Sequence, residues 1–273
     1  MQKKSLFVRQ FASLKNFSIF AAAIIATFGL LTDPASASSL VDTLSNTDTV
    51  TAVAGDTSGF LQAFLLIFIS EIGDKTFFIA GLLSAKYGKF ISFAGSIGAL
   101  AVMTVISTVL GQIFHAIPSS LTQGVPFDDY VAIAAFSYFG LKTLYDASQI
   151  EADDNSGIEE EKEDAEKAVA ELTQDQKRKS AIALILQTFS LVFAAEIGDR
   201  SFLSTIALSA ALNPFAVASG AIAAHASATG IAVAGGALMS KYLSEKVIGQ
   251  IGGSLFIFFA LTTLLKVLGV GMF

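Results

Sequence analysis

The chain contains no cysteine and no tryptophan, only two histidines, and only 15% Asp, Glu, Lys and Arg. The absence of cysteine rules out a disulfide framework and a thiolate metal site. The absence of tryptophan leaves Phe and Tyr to form any aromatic belt at a membrane interface. So little charge, with 53% hydrophobic residues and a mean hydropathy of +0.66, excludes an ordinary soluble domain and predicts an all-α polytopic membrane protein. The net charge of −6 implies no partner by itself, because it is concentrated in one loop, and nucleic acid is not an expected partner.

The first residues read as a targeting segment. Lys3, Lys4, Arg9 and Lys15 precede the apolar run FSIFAAAIIATFGLL, and PASASS follows with Ala35 and Ala37 in an A-x-A arrangement. That is the order of a secretory signal, with cleavage expected near Ala37. Residues 1–37 are assigned to this segment and 38–58 to a mobile tail. An uncleaved extra span is the competing reading, and the run is short for one. Six apolar segments follow, near 59–83, 90–114, 129–147, 180–210, 214–238 and 247–270. They group as 59–147 and 180–273 around an acidic linker at 148–179. That linker is expected to be a solvated stretch with one short helix, and it lacks the residue order of a calcium-binding EF-hand loop.

Lysine and arginine are missing from the loops HAIPSSLTQGVPFDD and ALNP. Lys86, Lys89, Lys142, Lys177, Arg178, Lys179, Lys241 and Lys246 fall on the other side, with Lys266 the exception. By the positive-inside rule the mature N-terminus faces the periplasm or lumen and the acidic linker faces the cytoplasm.

The first span contains SEIGDKTFF, which brings Glu71, Asp74 and Lys75 to its middle. A charge at that depth costs at least about 2.5–3.5 kcal/mol, so the segment must do something beyond spanning. The pattern recurs 125 residues later, where Glu196-Ile197-Gly198-Asp199-Arg200-Ser201-Phe202 repeats Glu71 to Phe77. Phe64, Ser84, Gly95, Ala99, Thr104 and Gly111 recur as Phe189, Ser209, Gly220, Ala224, Thr229 and Gly236. A duplication of three spans inverts the second half. The expected fold is therefore six transmembrane helices arranged as two inverted three-helix repeats, with a substrate site at their interface near the midplane.

On a helix, Glu71 and Asp74 share a face, as do Glu196 and Asp199. If these faces meet, four carboxylates surround one volume, and a divalent cation relieves their repulsion. Oxygen ligands suit calcium, manganese or magnesium. Metal and proton compete for carboxylates, which makes cation/proton antiport a mechanism for the pair. A purely structural ion-pair lock is the alternative. Thr76 and Ser201 are supporting residues expected to turn off the shared face. Lys75 and Arg200 lie four residues after each Glu and either neutralise the acids or anchor the helices. Gly73 and Gly198 allow close backbone approach or a local helix break. His225, in the fifth span, corresponds to Leu100 in the first half. It is a further candidate, as a ligand, a proton-handling group or a cross-helix hydrogen-bonding residue. Gln62 and Gln187 are expected to hold helices together, His115 to be interfacial, and the glycines Gly95, Gly98, Gly220, Gly235, Gly236, Gly249, Gly252 and Gly253 to form close-packing surfaces.

The doubled E-x-G-D-[KR]-[TS] pattern at Glu71–Thr76 and Glu196–Ser201 resembles the GDT-type (UPF-sixteen) calcium/manganese cation:proton antiporter family. The second half, LVFAAEIGDRSFLSTIALSA, looks most like cyanobacterial and chloroplast manganese exporters of the Mnx type. The resemblance covers about residues 59–270. It implies a transporter and not an enzyme, with no prosthetic group, whose substrates are Mn2+ and/or Ca2+ and H+. It implies that Glu71, Asp74, Glu196 and Asp199 bind the cation, with Lys75, Thr76, Arg200 and Ser201 completing the motif. Export from the cytoplasm across a plasma or thylakoid membrane is the expected direction. A cation channel without proton coupling, a non-transporting assembly factor and an intramembrane aspartyl protease are the alternatives. The protease fits worst, because Glu71 and Glu196 stand where its motif requires glycine.

Overall fold

The computed structural model describes residues 57–116, 125–151, 155–173, 180–239 and 243–269. The targeting segment 1–37, nearly all of the 38–58 tail, the loop centre at 117–124, Lys177 to Lys179 and Lys241 lie outside the described residues. Among those described, every regular element is an α-helix: α1 (Thr57–Glu71), α2 (Lys75–Tyr87), α3 (Lys89–His115), α4 (Phe127–Gln149), α5 (Ser156–Thr173), α6 (Ala181–Glu196), α7 (Arg200–Ala211), α8 (Pro214–Met239) and α9 (Glu245–Val267). Local chemistry sets several of these starts. Ser180 Oγ accepts from Ala183 N at 3.3 Å and Ser244 Oγ from Val247 N at 3.4 Å. At α8, Asn213 Oδ1 accepts from Phe215 N and Ala216 N, and Pro214 occupies the first helical position, where a missing N–H costs nothing.

Among the described residues, three helices are long and apolar enough to cross a membrane: Lys89–His115, Pro214–Gly235 and Glu245–Val267. A fourth span arises if α6 and α7, bent by 73°, count as one. The apolar segments 59–83 and 180–210 are thus each two helices, broken at the charged motif. Ile182, Leu186, Ile251, Phe258 and Leu261 are exposed, the outward apolar surface that a bilayer covers.

Among the described residues, two buried clusters hold the helices together. One joins Leu66 and Ile67 to Phe136, Leu208, Val217 and Phe256. The other joins Phe77, Phe78 and Leu83 to Leu100, Val192 and Val233. The linker helix α5 belongs to the second cluster. Its Ile158, Ala165 and Val169, spaced seven and four residues apart, are at most 5% exposed. The acidic linker is therefore not simply solvated, as its composition suggested. Its charges occupy one face and a narrow apolar stripe docks the other, which is how an amphipathic helix covers a protein surface.

Contacts recur at the 125-residue offset. Phe64 stacks on Phe68 at 5.6 Å between ring centroids, and Phe189 on Phe193 at 5.7 Å. Gly95 of α3 lies against the Ile185 carbonyl of α6, and Gly220 of α8 lies against the Phe60 carbonyl of α1. Ser84 Oγ donates to the Val233 carbonyl, and Ser209 Oγ reaches Thr108 Oγ1. In each of the last two pairs one half touches the other. Gly249 and Gly253 likewise close on Ala147 and Leu144 of α4. Gly235 does not follow the close-packing expectation: a Cβ there would meet nothing within 4 Å, and the residue marks a kink in α8 instead.

Candidate cation site

Each charged motif forms the break between two helices. α1 ends at Glu71, Gly73 adopts φ +84°, and Asp74 caps α2 by accepting from Thr76 N at 3.3 Å. α6 ends at Glu196, Gly198 adopts φ +85°, and Asp199 caps α7 by accepting from Ser201 N at 3.2 Å. A left-handed backbone strains any residue with a Cβ, which explains glycine between the two acids in both copies. The broken-helix reading of these glycines therefore holds. The shared-face geometry of Glu71 with Asp74, and of Glu196 with Asp199, does not, because each pair spans two helices. Opposed helix ends also bring carbonyl dipoles and amide dipoles into the same small region.

The break moves the hydroxyls inward. Thr76 Oγ1 donates within 3.4 Å of Glu71 Oε2 and Asp74 Oδ2, and Ser201 Oγ donates to Glu196 Oε2 at 3.1 Å. Both hydroxyl residues are buried, contrary to the expectation that they turn away. The basic residues change role as well. Among the described residues neither Lys75 nor Arg200 pairs with the Glu four positions before it, because no continuous helix connects them. Lys75 Nζ instead lies 3.8 Å from Asp164 Oδ2 on α5, and Arg200 lines a vestibule.

Glu71, Glu196 and Asp199 converge. One oxygen from each lies within 4.8 Å of the others, with Glu71 and Glu196 buried and Asp199 half-buried. Asp74 is outside this group. It lies with Ser70, Gly73 and Arg200 on the wall of a vestibule of about 380 Å³, which Glu161 of α5 also lines. Glu196 Oε1 has no hydrogen-bond partner. Glu196 also lines a cavity of about 10 Å³, enough for one water, together with Thr104, Ser107, Ser201, Thr205 and His225. His225 Nδ1 lies 3.6 Å from Glu71 Oε1. Three carboxylates with two hydroxyls are a donor set for a hard or borderline dication. Of the other positions singled out from sequence, Gln187 Oε1 is buried without a partner, and His115 is exposed and paired with Asp128 at 2.7 Å.

Sequence reasoning missed the part played by α5. Glu245 of α9 accepts from Gly157 N at 2.9 Å and Ile158 N at 3.3 Å, fixing the helix start, and Ile158 lies beside Gly73. The Ile158–Ala165–Val169 spacing was the available signal. Burial raises the Glu161 carboxyl above its ordinary range, Lys75 opposes this, and Asp199 adds to it. An acid whose folded-state pKa is raised favours folding below its unfolded value, and that advantage fades as pH rises through the folded value. Docking of α5 is therefore expected to loosen from pH 5 to pH 7.5. Amide hydrogen exchange over residues 156–173, corrected for intrinsic rates, measures this. Glu161→Gln should keep slow exchange at both pH values, and equal protection of the unmutated helix at both would exclude the effect.

A family profile described as divalent cation/proton antiporter GDT1 matches residues 59–151 and 184–269. The chain is 48% identical over 210 residues to GDT1-like protein 2, chloroplastic, of Oryza sativa subsp. japonica, covering 76% of this chain and 60% of the rice protein. It is 46% identical over 246 residues to protein PAM71, chloroplastic, of Arabidopsis thaliana, covering 86% and 65%. A GDT1-like protein of Synechocystis is 40% identical over 210 residues, covering 76% of this chain and 96% of its own length. The chain spans about three-fifths of the length of these chloroplastic relatives. No solved structure matches. With the profile covering both motif-bearing halves, and with relatives at this identity, the chain belongs to the GDT1 family of divalent cation/proton antiporters.

Proposed function

We propose that this protein is a secondary transporter that exports a divalent cation, Mn2+ and/or Ca2+, from the cytoplasm in exchange for H+. The convergence of Glu71, Glu196 and Asp199 from two helix breaks 125 residues apart carries this reading. These three residues hold the cation, and Thr76 and Ser201 orient the two glutamates. Asp74, on the vestibule wall, receives the cation before the cluster does. Arg200 lines that vestibule, and Lys75 ties α2 to α5 through Asp164. The cation and the proton are substrates here, and the chemistry calls on no prosthetic group.

The crossed contacts of Gly95 with Ile185 and Gly220 with Phe60 support six spans in two inverted repeats, since a pseudo-two-fold axis exchanges the two contacts. The vestibule lies on the side of Lys142 and the acidic linker, which the charge rule puts in the cytoplasm. The mature N-terminus is then periplasmic or lumenal, in a plasma or thylakoid membrane. The chloroplastic names of the plant relatives support the thylakoid option.

Proteoliposomes with an imposed proton gradient and an internal metal-sensing dye test the coupling. Antiport requires cation accumulation that follows the proton gradient and collapses when a protonophore is added. Flux that ignores the proton gradient would identify a channel, and no flux of either ion would leave an assembly role.

A further inference from the structure

We infer that His225 is a nitrogen ligand of the transported cation and the residue that makes this site prefer a first-row transition dication to calcium or magnesium. The inference rests on the carboxylate site proposed above. His225 lies on α8, which packs against α1 and α3, and it is 4% exposed. Its Nδ1 has no hydrogen-bond partner and faces Glu71 Oε1 at 3.6 Å, beyond hydrogen-bond length. Glu196, which lines the same small cavity as His225, also has an unpartnered oxygen, and it is 2% exposed. Buried polar atoms are nearly always paired, so two orphans beside one carboxylate cluster call for a shared partner. A cation supplies it. Two donors about 2.0–2.2 Å from one ion are about 3 Å apart across an octahedral right angle and about 3.5 Å apart across a tetrahedral one, so the His225–Glu71 separation of 3.6 Å leaves room for one shared ion.

His225 stands beside Glu71 and outside the trio that already converges, so ligation brings one imidazole to the three carboxylates. Calcium and magnesium take oxygen ligands, whereas an imidazole nitrogen suits first-row transition metals. With no cysteine in the chain, no thiolate draws softer ions into the site. Manganese and ferrous iron, at the weak-binding end of the transition series, are the dications such a site can both select and release. The nitrogen is presented once only. Leu100, the counterpart of His225 in the first half, lines the same cavity with an inert side chain.

The chain's two histidines make a direct test practical. The full chain is purified, loaded with about one equivalent of Mn2+, and examined by electron spin-echo spectroscopy with natural-abundance and 15N-labelled histidine. A nitrogen coupling that changes from 14N to 15N on labelling is expected. It should persist in His115→Gln and vanish in His225→Gln. Manganese bound by His225→Gln should be displaced by Ca2+ at a concentration about tenfold lower than in the unmutated protein. Glu196-dependent Mn2+ binding without histidine nitrogen coupling would overturn the inference and leave the carboxylate site standing. Absence of any Glu196-dependent Mn2+ binding would overturn both. The labelled unmutated protein decides the ligation even if the His225 variant fails to fold.

Discussion

Glu196→Gln is expected to lower exchange by about 100-fold or more while leaving the protein folded. The substitution keeps the shape of the side chain and its acceptor for the Ser201 hydroxyl, and removes only the charge and one ligand oxygen. Glu196 is 2% exposed, and its Oε1 has no partner. The metal-free protein therefore holds a poorly satisfied acid close to two others, an arrangement that low dielectric makes costly. Removing the charge should leave the metal-free midpoint of unfolding unchanged or raise it. The bound cation should tell the opposite story. Manganese at 100 times its dissociation constant stabilises the unmutated protein by about 2.7 kcal/mol, and that gain should disappear in the variant. A structural ion-pair lock predicts the reverse pattern, with stability lost and no metal effect to lose. Thermal unfolding with and without Mn2+, beside the flux assay, separates the two.

Gly220→Ala should destabilise the protein by about 1–3 kcal/mol and weaken metal binding together. A Cβ at this position would run into the Phe60 carbonyl oxygen, with the Phe60 carbonyl carbon and Cα at 3.0 Å. These are backbone atoms, so no side chain can swing away, and α1 and α8 must separate. α1 carries Glu71 and α8 carries His225, only 3.6 Å apart, so the separation opens the site itself. Gly95→Ala meets the Ile185 carbonyl oxygen at 2.8 Å and should behave alike. Gly230→Ala is the control on the same helix. Its nearest neighbour would be Phe93 Cε2 at 4.0 Å, so the lower conformational entropy of alanine should add about 0.5–1 kcal/mol. The midpoint of heat-induced aggregation in detergent reads all three. A Gly220 variant as stable as the Gly230 variant would show that α1 and α8 do not depend on this contact.

Much of this site is legible in the sequence alone. The doubled E-I-G-D motif named Glu71, Asp74, Glu196 and Asp199, three of which converge, and the apolar segments named the helices. Residue identity decides these things directly, since charge in an apolar run is conspicuous and a 125-residue offset is a matter of alignment. The main error of a sequence reading is to run a continuous helix through the motif, which the structure breaks at Gly73 and Gly198. Gly73 and Gly198 were consistent with a break or a close approach, and nothing in local spacing chose between them. The error displaced every inference built on helical faces. Thr76 and Ser201 moved into the site, and the Glu71–Lys75 and Glu196–Arg200 pairs dissolved.

The sequence by itself determined the helical, membrane-crossing class, the duplication and the identity of the acids, because composition, period and repetition are properties of the chain. Only the tertiary structure decided which acids meet. Asp74 and Asp199 occupy equivalent places in the two copies, yet Asp199 joins the cluster and Asp74 faces the vestibule. Likewise Leu100 and His225 line one cavity, but only His225 offers a donor to it. The physical reason is that two copies of a motif within one asymmetric chain have different neighbours. The docked α5 helix packs against α2, and its contacts there distinguish one side of the site from the other.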